Sequence, residues 1–326
     1  MPDRPSHRSP GLFRFPDLRT DTMNTASRGV ALALTALLAA CASSTTASSG
    51  TSSSATPSAN TSASGALPSA ASAASTAKPE PEFVLLGELH DNPDHHRARA
   101  EQLRRLIAQE PRTVIVFEQF SRTQDGAVAQ ARREHPGDTA AVIDAAQFDR
   151  KAWRWPLHQP LFDAVLQTGA EARGGNIDRD QVRKIVREGD AAWPADLLAL
   201  RDRTAWSGAQ QDTLRKDIQD GHCGAMPEAM LPGMVQAQRA RDAAMAQAML
   251  DAKKAGAKRV VLIAGNGHVR RDVAVPVYLQ AAGVPASDID AIGYLEPTSS
   301  APNGGYDRVE RAPAPTREDP CAAFKR

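Results

Sequence analysis

Two segments of the chain end an apolar run in the pattern Gly-x-x-His, which could place an imidazole at the end of a buried strand. They span residues 87–90 and 265–268, and the apolar run between them, residues 114–117, is followed by a glutamate. Imidazole and carboxylate groups together can hold a divalent metal ion or carry out general acid–base chemistry. The alternative is that the histidines bond to backbone groups while the carboxylates pair with arginines. The four residues concerned are Glu88, His90, Glu118 and His268.

The elements that would position these residues are four short apolar runs, each rich in Val or Ile and flanked by polar or turn residues. Runs that are apolar at every position are typical of parallel strands covered on both faces. In an open parallel sheet, ligands bind beyond the carboxyl ends of the strands. We therefore expect the two Gly-x-x-His segments and Glu118 to meet in one crevice. The four runs are FVLLGE, TVIVFEQ, VVLIAGNGH and IDAIGYLE.

Helical patterns separate the predicted strands. Asn92 followed by Pro93 is a good start for a helix that stops before Pro111. Residues 227–255 predict one long helix, or two if the Pro-Gly pair near its start breaks it. Strands that alternate with helices predict an α/β fold with a mainly parallel sheet flanked by helices. Residues 120–225 are mostly helical in pattern and contain all four tryptophans, which indicates a helical insertion or cap over the sheet.

The N-terminal eighty residues do not resemble a globular domain. Residues 1–22 lack the features of a signal sequence, so we expect them to be a non-native extension that precedes the true start at Met23. Residues 23–40 contain an apolar run about half as long as a membrane-spanning helix and are predicted to be a signal peptide. Residues 41–80 are almost entirely Ser, Thr, Ala, Gly and Pro, which predicts a flexible tether. The predicted domain occupies residues 81–326.

The end of the predicted signal peptide suggests a lipid anchor. Residues 38–41 read Leu-Ala-Ala-Cys and resemble the bacterial lipobox, in which the cysteine is diacylated and becomes the mature N-terminus. Cys41 would then attach the chain to a membrane. The alternative is an ordinary signal peptide cleaved beside an incidental cysteine. The formal net charge of +1 gives no general electrostatic reason to expect nucleic acid or an anionic membrane surface as a partner.

Six segments, in order along residues 84–321, resemble the ChaN family of haem-binding uptake lipoproteins, within the broader Tiki and TraB-like group. The resemblance implies a ChaN-type α/β fold, attachment through a lipidated cysteine and haem binding during iron acquisition. Some members of the wider group, which share the paired Gly-x-x-His segments and the intervening glutamate, are metal-dependent hydrolases. The chain departs from the family pattern before Asn176 and Arg179, where GAEARGG predicts only a weak strand. The six segments are LLGELHDNPDHH, VFEQF, GHCG, AQRARDAAMA, AGNGHVRRDVAVP and DPC.

The resemblance implies a haem site over the predicted crevice. Tyr278 could ligate ferric haem as a phenolate, or pack as a half-buried side chain. Arg270 and Arg271 could bind the haem propionates, or form a solvated basic face. The sequence has no C-x-x-C-H motif, so haem would be held non-covalently. The predicted haem-binding residues are His90, Glu118, His268, Tyr278, Arg270 and Arg271.

Histidines and methionines near these motifs have open interpretations. His95 and His96 cannot both face one site, because a helix turns by about 100° per residue. Met226, Met230 and Met234 recur every four residues. That spacing is more typical of an adaptable core face than of haem ligands, although it could form an apolar wall for a porphyrin.

Two cysteines remain once Cys41 is assigned to lipidation. An even pair in an exported protein favours a disulfide between Cys223 and Cys321. The alternative is that one of them supplies a thiolate ligand to a metal or to haem.

Two functions follow from these observations. The first is a lipid-anchored haem-binding protein that takes part in haem and iron uptake, with a haem receptor or transporter and a homodimer as candidate protein partners. Ala42 after the lipobox cysteine favours the outer membrane, with the domain facing the periplasm. The second is a hydrolase in which a divalent metal activates water. Its predicted ligands are Glu88, His90, Glu118 and His268.

Overall fold

Six strands form one parallel sheet at the centre of the fold. The computed structural model describes residues 80–319 and 321–322, and the strand pairings within them are parallel. The strands are β1 (Phe83–Leu86), β2 (Thr113–Ser121), β3 (Glu171–Asn176), β4 (Arg259–Ile263), β5 (Ile289–Leu295) and β6 (Arg308–Arg311). Their order across the sheet is β3-β2-β4-β1-β5-β6, so the three strands predicted to carry the site are neighbours. The predicted α/β architecture with a parallel sheet is confirmed.

Helices cover both faces of this sheet. The predicted helical region, residues 120–225, is present. Strand β3 divides it into two long connections, one from β2 to β3 and the other from β3 to β4. The helices of the described residues are α1 (Pro93–Gln109), α2 (Asp125–Glu134), α3 (Thr139–Ala145), α4 (Gln159–Thr168), α5 (Arg179–Glu188), α6 (Leu198–Arg203), α7 (Gly208–Gly221), α8 (Leu231–Lys254) and α9 (Val275–Ala281).

The apolar core consists of two layers, one on each face of the sheet. In β1, Phe83 and Leu85 belong to one layer, which includes residues of α8 and α9, while Val84 and Leu86 belong to the other, which includes residues of α1 and α4. Burying a Leu or Phe side chain contributes about 1.5–3 kcal/mol relative to an exposed one. Coverage on both faces explains why the strands are apolar at every position.

Helix α1 begins where the sequence predicts. The Asn92 side chain accepts hydrogen bonds from the backbone N–H groups of Asp94, at 3.0 Å, and His95, at 3.2 Å. Pro93 occupies the first turn, where its missing N–H costs nothing. The helix ends at Gln109, before Pro111. This fixed start determines which α1 side chains face the end of β1.

Helix α8 is a single helix, which resolves the two alternatives for this part of the chain. Pro232 lies in its first turn and therefore starts the helix instead of breaking it. Gly233 is required by packing, since a Cβ there would lie 2.0 Å from the carbonyl oxygen of Val186 in α5. The backbones of α8 and α5 are therefore in close contact, within the helical layer that covers one face of the sheet.

Strand β3 forms although its sequence, EARGGN, predicts only a weak strand. It is an edge strand beside β2, with Ile115 paired to Ala172. A Cβ at Gly174 would lie 2.1 Å from the carbonyl oxygen of Ser121, so close packing against β2 requires the glycine. Glycine weakens the local preference for a strand, which is why the signal is faint. Asn176 ends β3, and Arg179 begins α5.

A disulfide joins Cys223 to Cys321, with Cα atoms 5.6 Å apart, which confirms the predicted pair. The bond ties the C-terminal segment to the end of α7. The predicted extension, the signal peptide, Cys41 and the tether up to residue 79 lie outside the described residues. Among the helices that the structure describes, none is long and apolar enough to cross a membrane.

The disulfide should stabilise the domain because it closes a loop with a sequence separation of 98. Replacing Cys321 by Ser should lower the free energy of unfolding by up to roughly 4.7 kcal/mol in the chain-entropy description. Urea denaturation without reductant measures this loss, and wild-type protein treated with reductant is the matched control. A variant as stable as the oxidised wild type would show that the cross-link does not constrain the unfolded chain.

Candidate functional site

The carboxyl ends of β1, β2 and β4 open into a crevice with two connected lobes. The lobe beside β1, which we call the His90 lobe, has a volume of about 590 Å³, and the lobe beside β3, the Asn176 lobe, has a volume of about 580 Å³. Glu88, His90, Glu118 and His268 all line the His90 lobe, so the structure brings the four predicted residues together. The residues that line both lobes are Glu118, Trp153, Arg179 and Arg241.

Glu88 is a carboxylate that is only 1% exposed and has four partners. Its Oε1 lies 2.6 Å from His90 Nδ1 and 3.2 Å from His158 Nε2. Its Oε2 lies 3.1 Å from His96 Nδ1 and forms an ion pair with Arg99. Burying an unpaired carboxylate is very costly, so the fully buried guanidinium of Arg99 is needed to offset the charge. We call these five residues the Glu88 cluster.

His96 and His158 take part in the Glu88 cluster as neutral imidazoles. Nε2 of His96 donates to the carbonyl oxygen of His90 at 3.1 Å, and Nδ1 of His158 donates to the carbonyl oxygen of Trp153 at 3.0 Å. Burial lowers the pKa of His96 to about 4 and, together with neighbouring cationic groups, the pKa of His158 to about 2. Each neutral ring therefore donates its single N–H to a backbone carbonyl. The other nitrogen of His96 accepts a hydrogen bond from Arg99 at 3.0 Å, and that of His158 faces Glu88.

His90 is the accessible member of the Glu88 cluster, with 48% of its side chain exposed. Its ring packs edge-on against Trp153, with centroids 4.9 Å apart. A Cβ at Gly265 would lie 2.9 Å from Nε2 of His90, so glycine makes room for the ring at this end of β4. Loss of solvent around the ring lowers the pKa of His90, against the opposing effect of Glu118. A neutral imidazole at the crevice can act as a ligand or as a base.

His268 lies between two buried carboxylates. Its Nδ1 is 2.6 Å from Asp242 Oδ1, and its Nε2 is 3.2 Å from Glu118 Oε1. A carboxylate only accepts hydrogen bonds, so both ring nitrogens donate and the ring is an imidazolium. Burial opposes the charge, but Glu118 and Asp242 raise the pKa of His268 to about 9. With the guanidinium of Arg241, which pairs with Glu118, these residues form what we call the Glu118 cluster.

The Glu118 cluster joins three elements of the fold. Burial raises the pKa of Glu118, but His268 and Arg241 more than offset this effect and hold it well below its usual range. The other carboxylate oxygen of Glu118 accepts the backbone N–H of Gly265 at 2.7 Å. The cluster thus links the end of β2 to the end of β4 and to α8. Because both nitrogens of His268 are occupied, its ring has no lone pair for a metal or for haem iron.

Comparison with known protein families agrees with the resemblance read from the sequence. Residues 77–279 match the profile of the family described as haem-binding uptake, Tiki superfamily, ChaN. The chain belongs to the ChaN family. The matched region contains β1 to β4, both Gly-x-x-His segments and all residues of the two clusters.

One solved structure supports the assignment of the fold, and a second is reported as a more distant match. The structure described as cofacial heme binding to ChaN of Campylobacter jejuni is 18% identical, with a TM-score of 0.59, and the match covers 71% of this chain and 87% of that one. An erythromycin esterase, EreC, matches with 14% identity and a TM-score of 0.37 over 66% of this chain and 70% of its own. No curated protein sequence matches this chain with significance. The first match supports a ChaN-like fold.

Three predicted haem-binding residues do not line the crevice. Tyr278 is fully buried in the core beneath the sheet, where its ring lies 6.4 Å from that of Trp206. Arg270 pairs with Asp217 and Asp272. Arg271 bonds to Asp307 and to the carbonyl oxygens of Ala286 and Ile289. Although these residues follow His268 closely in the chain, their side chains lie in the core or pair with carboxylates, so the structure does not bring them to the crevice.

The methionine stripe and the pair His95 and His96 do not occupy ligand positions in the crevice. The predicted stripe of Met226, Met230 and Met234 contributes nothing to the lining of either lobe, and Met230 is 43% exposed. His95 and His96 are both buried. His95 accepts the backbone N–H of Leu89 at 3.1 Å, so it fixes the loop after β1, while His96 belongs to the Glu88 cluster.

Several residues of the site were not predicted from the sequence. His158 and Trp153 come from the segment before α4, and Gln238, Arg241 and Asp242 come from α8. The segment AQRARDAAMA contains the last three, but nothing in its helical pattern distinguishes an arginine and an aspartate that face the sheet from a solvated pair. Asp242 is fully buried because it pairs with His268 outside the helix, so the sequence of α8 alone contains no signal for it.

The predicted metal-binding set is divided by the structure into two groups. Glu88 and His90 lie in one cluster, whereas Glu118 and His268 lie in the other and satisfy each other. Among the described residues, the donor atoms that could hold an ion together are those of Glu88, His90 and His158, all within 4.8 Å of one another. Of the four predicted residues, Glu88 and His90 belong to this group, and His158 is its third member.

The raised pKa of His268 makes the stability of the fold depend on pH. An unperturbed histidine has a pKa of about 6.5, whereas that of His268 is about 9, so the folded state holds this proton more tightly. The stabilisation is complete below the unfolded pKa and is lost as the pH rises through the folded pKa, by roughly 3 kcal/mol in all. Urea denaturation from about pH 6 to about pH 9.5 should show the free energy of unfolding falling.

The variant His268→Gln is the control for this pH dependence. It should be less stable than the wild type at neutral pH, because Glu118 and Asp242 lose their shared cation. It should also lack most of the decline towards alkaline pH. Parallel pH profiles for the two proteins would contradict a charged His268.

Proposed function

We propose that this protein binds haem non-covalently in the crevice at the carboxyl ends of β1, β2 and β4. The observation that carries the proposal is the match to the ChaN family over residues 77–279, which contains the whole crevice. The solved ChaN of Campylobacter jejuni, with the same fold, is described as binding haem cofacially. We extend haem as a ligand, though not a stoichiometry, to this chain.

The size and lining of the crevice suit a porphyrin. Two connected lobes of about 580 and 590 Å³ are each within the range of about 300–1,000 Å³ for ligand pockets. The ring of Trp153 and the side chains of Phe120, Ile177 and Val182 supply apolar and aromatic surface. Donor atoms and cationic groups lie beside this surface, which is the combination that an amphipathic ligand requires.

His90 is the residue that we propose as the iron ligand. Its Nδ1 is held by Glu88, which leaves Nε2 as the nitrogen available to the crevice. A carboxylate that accepts the Nδ1 proton fixes the tautomer and increases the basicity of the other nitrogen. Haem iron is commonly held by histidine. His268 and Tyr278, by contrast, have no accessible donor atom at the crevice.

Arg179 and Arg241 take the place that the sequence suggested for Arg270 and Arg271. Both line the two lobes. Arg179 has 65% of its side chain exposed and pairs with Asp149 at 2.6 Å, so it can turn to a ligand carboxylate at little cost. Guanidinium groups bind carboxylates such as haem propionates through paired hydrogen bonds.

Attachment and biological role complete the proposal. The lipobox at Cys41 and the tether of residues 41–80 support a domain anchored by lipid to the outer membrane and facing the periplasm. There it would take part in haem and iron uptake, with a haem receptor or transporter as protein partner and a second copy of the chain as a further candidate. The hydrolase alternative required both Gly-x-x-His histidines on one metal, an arrangement that the bonded nitrogens of His268 do not favour.

Haem binding is tested by titrating ferric haem into the purified protein and recording the Soret band. A saturable shift is expected, and His90→Ala should weaken the binding at least about tenfold, equivalent to ~1.4 kcal/mol, because the iron loses its ligand. Tyr278→Phe is the matched control and should bind as the wild type does. Absence of a saturable shift would reject the proposal, and a loss of binding in Tyr278→Phe would reject His90 as the ligand.

Lipid attachment is tested separately with Cys41→Ser. This change removes the thiol that the lipobox would acylate, so the variant should lose labelling by a palmitate analogue and should fractionate as unprocessed precursor or as soluble material. Cys223→Ser, which alters a disulfide cysteine of the domain, should keep the label. Equal labelling of Cys41→Ser and the wild type would exclude Cys41 as the anchor.

A further inference from the structure

The Glu88 cluster contains a buried imidazole lone pair that meets another acceptor. His158 is fully buried, and each of its ring nitrogens faces an acceptor: Nδ1 lies 3.0 Å from the carbonyl oxygen of Trp153, and Nε2 lies 3.2 Å from Glu88 Oε1. A neutral imidazole has one ring proton, and when that proton is donated to Trp153 the lone pair of Nε2 faces a carboxylate oxygen. Two acceptors in contact inside a protein are unsatisfied unless a proton or a cation lies between them.

A third donor atom converges on the same point. His90 Nδ1 lies 2.6 Å from Glu88 Oε1, and the three atoms lie within 4.8 Å of one another. In a tetrahedral zinc site, with bonds of about 2.0–2.2 Å, neighbouring ligand atoms are about 3.3–3.5 Å apart. The separation of 3.2 Å between Glu88 Oε1 and His158 Nε2 lies about 0.1 Å below this range. The ring of His90 is half exposed, so it can rotate to widen the shorter separation.

We propose that Glu88 Oε1, His90 Nδ1 and His158 Nε2 bind one divalent transition-metal ion of the Zn²⁺ or Co²⁺ type. Two imidazoles and one carboxylate form a donor set that suits these ions. His90 borders the crevice, so the fourth coordination position is left for water or a ligand on that side. The proposal does not depend on haem binding, because each of the three donors belongs to the protein.

The surroundings of the three donors are those of a metal site. The Nδ1 proton of His158 is held by the Trp153 carbonyl, and the second oxygen of Glu88 is held by Arg99. A hydrogen bond to one ligand and an ion pair to the other fix the orientation of the two side chains. Arg99 pairs with Oε2, the oxygen that the proposed ion does not use. The ion and the guanidinium would therefore contact different oxygens of the same carboxylate.

The proposed ion and haem iron would compete for His90. A neutral imidazole has one lone pair, so His90 cannot ligate the ion through Nδ1 and iron through Nε2 without losing its ring proton. Binding of the ion moves that proton from Nδ1 to Nε2, with no net release from this ring. The crevice then meets an N–H donor in place of a lone pair. Zn²⁺ should therefore weaken haem binding, and haem should weaken Zn²⁺ binding by the same factor.

The site is tested by metal titration of the full chain, purified, freed of metal with a chelator and kept free of haem. Calorimetry with Zn²⁺ should give one ion per chain, and Co²⁺ should produce the visible absorption bands of tetrahedral coordination. His158→Gln, which keeps a donor for the Trp153 carbonyl but removes the imidazole, should weaken both at least about tenfold. His222→Gln is the matched control, because His222 bonds to the Ile218 carbonyl outside the cluster, and it should bind as the wild type does.

The results that would overturn the proposal are specific. Failure of the wild type to bind one ion, or equal affinity in the wild type and the variants, would mean that a proton bridges Glu88 and His158. Should the buried substitution His158→Gln fail to fold, as judged by circular dichroism, the half-exposed His90→Gln decides in the same way. Binding of Zn²⁺ without binding of haem would support this site and reject the proposed function. Binding of haem without binding of Zn²⁺ would reject this site and leave the proposed function in place.

Discussion

The arrangement of the site depends on the burial of one carboxylate, that of Glu88. An ionised carboxylate without compensation would be far too costly at 1% exposure, so the fold must bring a cation and hydrogen-bond donors to the end of β1. Helix α1 supplies Arg99 and His96 because its first turn is fixed by Asn92. The segment before α4 supplies His158. The packing of α1 against α4 is therefore coupled to the chemistry of the crevice floor.

Features that are determined locally could be predicted from the sequence. Continuous apolar runs identified β1, β2, β4 and β5 because strands covered on both faces need no polar residues. The rule that parallel strands end at one edge then placed Glu88, His90, Glu118 and His268 in one crevice. The start of α1 followed from Asn92, since its side chain satisfies the N–H groups of the first turn.

Features that depend on distant pairings could not be predicted in this way. Glu88 meets His158 across a sequence separation of 70, and Glu118 meets Arg241 across 123, so no local pattern relates the partners. The assignment of Tyr278 failed for the complementary reason: closeness in sequence to His268 did not determine the direction of its side chain, which α9 turns into the core. Strand β3 was faint because close packing, not side-chain burial, selects its glycines.

The two clusters differ in how completely their charges and lone pairs are satisfied, and that difference determines where a ligand can bind. In the Glu118 cluster, His268 donates to a carboxylate from each nitrogen and Arg241 adds a second cation, so neither nitrogen of His268 is available to a ligand. In the Glu88 cluster, Arg99 compensates the charge, but the lone pair of His158 has no donor. The half-exposed ring of His90 lies between this deficit and the crevice. A cation at Nδ1 and haem iron at Nε2 would each need a lone pair of His90. A neutral imidazole has only one, so His90 can bind only one of them.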